Sequence, residues 1–395
     1  MWATLTIQAI RNELDLNCMS VPRRYRKLGD FHKYYSGAAH TPVLTLVIGG
    51  NHEASNYLFE LYHGGWLAPN IYYLGAAGVV RYGPWRIAGL SGIYKASDYR
   101  KPHGERLPYD RDDIKSVYHV REYDVQRLMR LRTSVDIALS HDWPAWVELF
   151  GDHEDLYAKR PHFLASALGD NLGSKPATEL LNHLRPSHWF SGHMHVRFTA
   201  TVDFQGLSLG GALFKREVPQ KLEPVLRRSM ASIPQADAPL AGASPTTQFC
   251  GLDKSESRTS EWLQLTEIDM PLRDGNALHL EKTADGKFAL RYDEEWLAIT
   301  RAFAPALRIA DPETLVVTPS RPGKVTAVSL EKHRSWVQQN IVQKGLLAVP
   351  TDFVAHAPIH DPDLTVTPHQ QPIEYPNKQT AQFCDLLQIL NPFSL

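Results

Sequence analysis

The sequence predicts an α/β fold. Short apolar, β-branched runs alternate with stretches of helical periodicity, and three of those runs stop at glycine- or serine-bearing loops that carry Asn or His. Residues 42–48 (PVLTLVI) read as a buried strand entering a tight loop at Gly49-Gly50, followed by Asn51-His52-Glu53. Residues 71–74, 79–82 and 85–90 read as three more strands, the last two joined across Gly83-Pro84 as a hairpin. Val125, Leu128 and Leu131 recur at helical spacing within 122–131. Residues 135–139 form a further strand that stops at Ser140-His141-Asp142. Ser174 as cap and Pro176 in the first turn open a helix that runs to Leu184. Trp189-Phe190 then leads into Ser191-Gly192-His193-Met194-His195.

The chain has 395 residues, enough for a core domain and an appended one. Forty-two basic residues against 43 acidic ones give a net charge of -1, which excludes a global positive field for nucleic acid, so any such contact must be local. Cys18, Cys250 and Cys384 are far apart and form no CxxC pair, which excludes a cysteine-rich zinc site or a disulfide framework and fits a reducing compartment. Residues 1–9 lack a basic leader, and no apolar run reaches the 18 or so residues a membrane span requires. A soluble intracellular protein without membrane contact is expected.

Residues 1–214 are expected to form the first domain. The next stretch, 215–247, holds Pro219, Pro224, Pro234, Pro239 and Pro245 and reads as a linker or insertion with one short helix. Residues 248–395 form a second region, with an amphipathic stretch at 294–303 and a proline-rich segment at 358–376.

Asn51, His141, His193 and His195 each follow an apolar strand. A two-metal phosphoesterase needs oxygen and imidazole ligands converging from several loops, because two cations about 3.5–4 Å apart must be held while a water is activated. His193 and His195, two apart in extended chain, can turn both rings to one site. His52 can act as general acid on a leaving oxygen, with Glu53 beside it to orient or charge it; Asp142 stands in the same supporting position behind His141. A lone His in a loop is more often a surface residue, but GNHE, SHD and GHMH in this order, each after a strand, point to a site.

GNHE, a lone His and then GHxH make up the later half of the calcineurin-like metallophosphoesterase signature. The strings IGGNHEASNYLFELYHGGWLAPNIYYLG, SGIYKASDYRKPHGERLPY, SVYHVRE, LSHDWP and HWFSGHMHVRF resemble the RNA lariat debranching enzymes in particular. FCGLDK, RYDEEWLAI and FCDLLQIL resemble that family's C-terminal domain. The resemblance implies a metallophosphoesterase β-sandwich flanked by helices. It implies that Asn51, His141 and His193 ligate one metal, that His195 ligates the other, and that His52 protonates the leaving 2′ oxygen. Fe²⁺, Zn²⁺ or Mn²⁺ would serve, two in the family and fewer here. Branched intron lariat RNA would be the substrate, splicing-associated proteins further partners, and the nucleus the location.

The family also has a Cys-x-His strand and a Gly-Asp-Phe loop, neither of which stands in this sequence; Leu5-Thr6-Ile7 occupy the position of the second. The neutral hydroxyl of Thr6 carries no charge to bridge two dications. The expectation is a chain lacking the family's first strand and motifs, from an incomplete gene model, with impaired catalysis. The alternative is an inactive RNA-binding or scaffold relative; weaker still is a phosphoesterase for another substrate.

Tyr99, Arg100, Lys101, His103, Tyr118, His119 and Arg121 resemble the family's lariat recognition loop and its YHVR element, where Arg would hold phosphate and Tyr would stack a base. Arg23, Arg24, Arg26, Lys27 and Lys33 interleave with Tyr25, Phe31, Tyr34 and Tyr35, which reads either as a second phosphate-and-base surface or as a solvated basic helix with a few packed aromatics.

Overall fold

The computed structural model describes residues 2–4, 7–233, 238–254, 263–271, 280, 282–283, 286–310 and 325–393. Two sheets face each other. The smaller holds β1 (Trp2–Thr4), β2 (Thr45–Val47), β3 (Gly65–Ala68) and β4 (Ile71–Tyr73) in the order β1-β2-β4-β3. The larger holds β5 (Ala77–Tyr82), β6 (Trp85–Leu90), β7 (Ile137–Ser140), β8 (His188–Ser191), β9 (Phe198–Asp203), β10 (Thr246–Gly251) and β11 (Leu290–Tyr292). Its order is β11-β5-β6-β7-β8-β10-β9. β5 and β6 form the predicted antiparallel hairpin, and β6, β7, β8 and β10 run parallel.

Side chains alternate across a strand, so one strand serves two cores. Ile137 and Leu139 meet Leu46, Ile48, Leu74 and Ile87 in the layer between the sheets. Ala138 and Trp189 point the other way, into a core shared with Val125 and Leu128 of the helix Glu122–Leu128 and Leu180 and Leu181 of the helix Lys175–Leu184. The outer face of the smaller sheet packs on Tyr35, Tyr57 and Leu61. Burial on both faces is why these strands read as nearly continuous apolar runs. Ser174 accepts the Ala177 N–H at 3.2 Å, the cap expected from sequence.

The smaller sheet has a strand beside β2 ahead of the position where the family carries Gly-Asp-Phe: Trp2 pairs with Thr45 and Thr4 with Val47 in parallel register. Strand pairing is made by the backbone, so a short run of β-forming residues completes it without the family's motif. Leu5 and Thr6 lie outside the described residues. The stretch 215–247, read as a linker or insertion with one short helix, holds one helix among the described residues. Helix Glu223–Ser232 buries Val225, Leu226 and Met230 in the main core, and the boundary at 247/248 cuts through β10, inside the larger sheet. Prolines at 219, 224 and 245 flank or open these elements, which is where proline is tolerated.

The C-terminal region is built onto the sandwich. β11 pairs with β5, and helix Glu294–Phe303 sits on the main core through Trp296, Ile299 and Phe303. Gln379 exchanges hydrogen bonds with the Trp66 backbone at 2.7 and 2.9 Å.

Candidate active site at the strand ends

The ends of β6, β7 and β8 stand in register, Leu90 opposite Ser140 and Ser140 opposite Ser191. Their following loops therefore emerge side by side: Ser91-Gly92, His141-Asp142 and Gly192-His193. The loop after β2 reaches the same place from the other sheet, because Gly92 N–H donates to the Gly49 carbonyl at 2.8 Å and Gly49 N–H donates to Ser91 Oγ at 3.0 Å. Ligand sites of open parallel sheets lie at the carboxyl ends of strands for this topological reason.

Asn51 Oδ1 lies 3.0 Å from His141 Nε2, and the rings of His141 and His193 are 5.1 Å apart. His141 is buried at 4 % exposure, under Gly50. A Cβ at position 50 would come within 2.4 Å of the His141 ring, so the glycine is needed for that approach. His193 and His195 have φ of 60° and 51°, left-handed conformations that cost side-chain-bearing residues energy and cluster at functional sites. His195 is exposed, 6.5 Å from the half-buried His52 ring, and its pKa is lowered by partial desolvation and by Lys254, His193 and His52.

Asp142 accepts the Tyr94 N–H at 2.9 Å through one oxygen and faces His193 Nε2 at 3.7 Å with the other. Burial raises its pKa and His193 opposes that rise. Glu53 also ties this loop to the segment that follows β1. Its two oxygens accept the N–H groups of Ile7 and Ala9, each at 3.2 Å, so it fixes the chain that follows β1.

Sequence reasoning missed a hydroxyl cluster beneath the histidines. Ser140 Oγ and Ser191 Oγ lie 2.9 Å apart; both donate to the Asp142 carbonyl, at 2.6 and 3.2 Å, and Trp189 Nε1 donates to Ser140 at 2.9 Å. The serine that closes or follows each of the three parallel strands was the available signal.

The seven recognition-loop residues do not stay together. Arg100 and Lys101 are exposed, Lys101 paired with Asp98 at 2.8 Å. Tyr99, Tyr118 and His119 are half-buried; Tyr99 packs edge-on to Tyr94 at 5.5 Å, Tyr118 meets Ser20 at 3.0 Å and His119 meets Asp98 at 2.7 Å. His103 and Arg121 are buried, both bonded to Glu105, at 2.9 and 2.6 Å. Those two do not face solvent.

The donor set fits one divalent cation in part. Asn51, His141 and His193 offer oxygen and imidazole nitrogen from three loops, while no group of three or more His, Cys, Asp or Glu closes into a metal-holding cluster among the described residues. The sandwich and its strand-end histidines define a calcineurin-like phosphoesterase. The sequence profile of that description matches residues 15–197, and the fold implies dependence on a divalent metal. A second profile, described as lariat debranching enzyme, C-terminal domain, matches residues 244–392. The chain is 39% identical to the lariat debranching enzyme of Arabidopsis thaliana over 96% of its own length and 76% of that protein's. For the Schizosaccharomyces pombe enzyme the figures are 35%, 95% and 87%, and for the Homo sapiens enzyme 38%, 97% and 62%. The chain belongs to the lariat debranching enzyme family and is a hydrolase of the phosphoesterase class.

Proposed function

We propose that the protein hydrolyses the 2′-5′ phosphodiester bond at the branch point of excised intron lariats, in RNA processing and intron turnover. The observation that carries this reading is the meeting of Asn51, His141 and His193 at the strand ends in a chain whose relatives are lariat debranching enzymes. Asn51, His141 and His193 would hold one cation, and His195 a second. The mixed N,O donors suit Fe²⁺, Zn²⁺ or Mn²⁺. When bound, such cations polarise a phosphoryl oxygen and lower the pKa of an attacking water. His52, half-buried at the rim beside His195, would deliver a proton to the leaving 2′ oxygen, so that the ribose departs as a neutral hydroxyl. Tyr99, Arg100, Lys101, Tyr118 and His119 would border the RNA. Branched RNA, splicing-associated proteins and a nuclear location are the corresponding partners and place. No described helix is long and apolar enough to cross a membrane.

The test pairs metal analysis with cleavage. Elemental analysis of the purified protein and of His193→Ala is set beside hydrolysis of a 2′-5′ branched oligonucleotide and of its linear counterpart. Bound metal, selective cleavage of the branch, and loss of both in His193→Ala are expected. Binding of branched RNA without cleavage at any metal loading would replace the enzymatic reading with that of an RNA-binding or scaffold relative.

A further inference from the structure

Residues 23–27, Arg-Arg-Tyr-Arg-Lys, set four cations in five positions of a chain whose net charge is only -1. Arg23–Tyr25 form one 3₁₀ turn after Pro22, with Arg23, Arg24, Tyr25 and Lys27 exposed and Arg26 half-buried. The helix considered from sequence is absent here. Other cations of the first domain are neutralised by carboxylates, such as Lys33 by Asp30 at 2.6 Å, Lys101 by Asp98 at 2.8 Å and Arg121 by Glu105 at 2.6 Å. The four in this turn make no carboxylate pair among the described residues. Arg23 lies 2.6 Å from His369 Nδ1, Arg26 donates to the Val21 carbonyl at 2.8 Å and to Asn17 at 3.3 Å, and Arg24 sits 4.7 Å from the centre of the Tyr25 ring. Arg26 is held below the usual guanidinium range by desolvation and by repulsion from Arg23. Uncompensated charge of this kind opposes its own clustering, and a polyanion relieves it.

Two further observations narrow the partner. Tyr25 is 58% exposed, and an aromatic ring among cations suits an unpaired base better than a duplex, because stacking needs a free base face. The chain just before the turn is tied toward the candidate site. Ser20 Oγ meets Tyr118 OH at 3.0 Å, and Tyr118 lines a small cavity of about 50 Å³ together with Gly49 and Gly50.

We propose that residues 23–27 are a docking surface for single-stranded RNA leading away from the branch, with phosphates on Arg23, Arg24 and Lys27 and a base on Tyr25. The inference rests on the RNA reading above but not on catalysis. Its test is fluorescence anisotropy with a labelled linear single-stranded oligoribonucleotide, using the wild type, Arg23→Glu/Arg24→Glu, Tyr25→Ala, and Arg228→Glu as a control at an exposed cation elsewhere. The double variant is expected to bind at least tenfold more weakly, with the salt slope reduced by about 0.7 for each phosphate no longer neutralised. Tyr25→Ala should bind about 5- to 100-fold more weakly, and Arg228→Glu should change affinity less than twofold. Unchanged affinity and slope in the turn variants, or an equal loss in Arg228→Glu, would overturn the surface. Loss of binding confined to the turn variants supports it, even if the wild type cleaves no branched oligonucleotide, an outcome that sinks the debranching reading alone.

Discussion

Arg86 and Asp293 join the sandwich to the C-terminal region through a buried two-pronged ion pair, Nε to Oδ2 at 2.8 Å and Nη2 to Oδ1 at 2.7 Å. The two side chains are 1% and 0% exposed. Asp293 also meets Arg81 at 3.0 Å and caps helix Glu294–Phe303 by accepting the Trp296 N–H at 3.0 Å. One carboxylate thus serves β5, β6 and the helix that follows β11, and Arg86 and Arg81 hold its pKa well below the usual carboxylate range against the effect of burial.

Asp293→Asn removes the two-pronged partner of the buried Arg86 charge, leaving it Glu295 at 3.1 Å, while changing little volume. Breaking a buried pair on one side costs about 3–5 kcal/mol. The urea midpoint is expected to fall accordingly, whereas Arg86→Met/Asp293→Asn, which removes both charges of the pair, keeps a side-chain oxygen for the Trp296 N–H and leaves Arg81 with Glu294 at 3.5 Å, should fall less. Equal losses in the two variants would show that the charge pairing is not what holds this junction.

Gly50 and His141 form the second tight relationship. Gly50→Ala would place a methyl 2.4 Å from His141 Cε1 and 2.7 Å from Nδ1, so the ring must move away from Asn51. Displacing a positioned group by about 1 Å can cost about 100-fold in rate. The expectation is at least that loss in branched-RNA cleavage and weaker metal retention, with a melting temperature near wild type. Full activity in Gly50→Ala would remove His141 from the site.

The loops at Asn51, His141 and His193 were legible because each apolar run ends abruptly at glycine or serine, a local signal. β1 and β10 were not. β1 departs from the family's motif, and β10 (TTQFCG) lies just past a proline-rich stretch, so its place in the larger sheet depends on pairing with β8 and β9. The burial of individual recognition-loop residues was not legible for a different reason. Arg100 and Arg121 look alike in sequence, yet Arg100 is 84% exposed and Arg121 reaches inward to Glu105. Cation content marks a basic segment but does not say which cations find a carboxylate.

Arg100 and Arg121 should accordingly separate in experiment. Arg121→Ala leaves Glu105 with only His103 and Ser116, and should lower the thermal midpoint by several degrees. Arg100→Ala should leave the midpoint unchanged and weaken branched-RNA binding. A stable Arg121→Ala protein with specifically weakened RNA binding would return Arg121 to the RNA surface.

Glu148 supplies the pH test, away from the histidines. It is fully buried, accepts a hydrogen bond from Tyr157 OH at 3.2 Å, and burial pushes its carboxyl up to about 7. An unfolded glutamate titrates near about 4.3. Between these values the folded state keeps a proton that the unfolded state releases, so this group's contribution to stability falls as pH rises from roughly 4.3 through 7. Glu179, raised to about 7 mainly by burial, acts in the same sense. The diagnostic is therefore the difference between wild type and Glu148→Gln, whose neutral amide cannot ionise. Melting temperatures measured from pH 5 to 8 should fall less steeply in Glu148→Gln, closing the gap to wild type or reversing it at the alkaline end. Parallel curves for the two proteins would mean that Glu148 does not change protonation on folding.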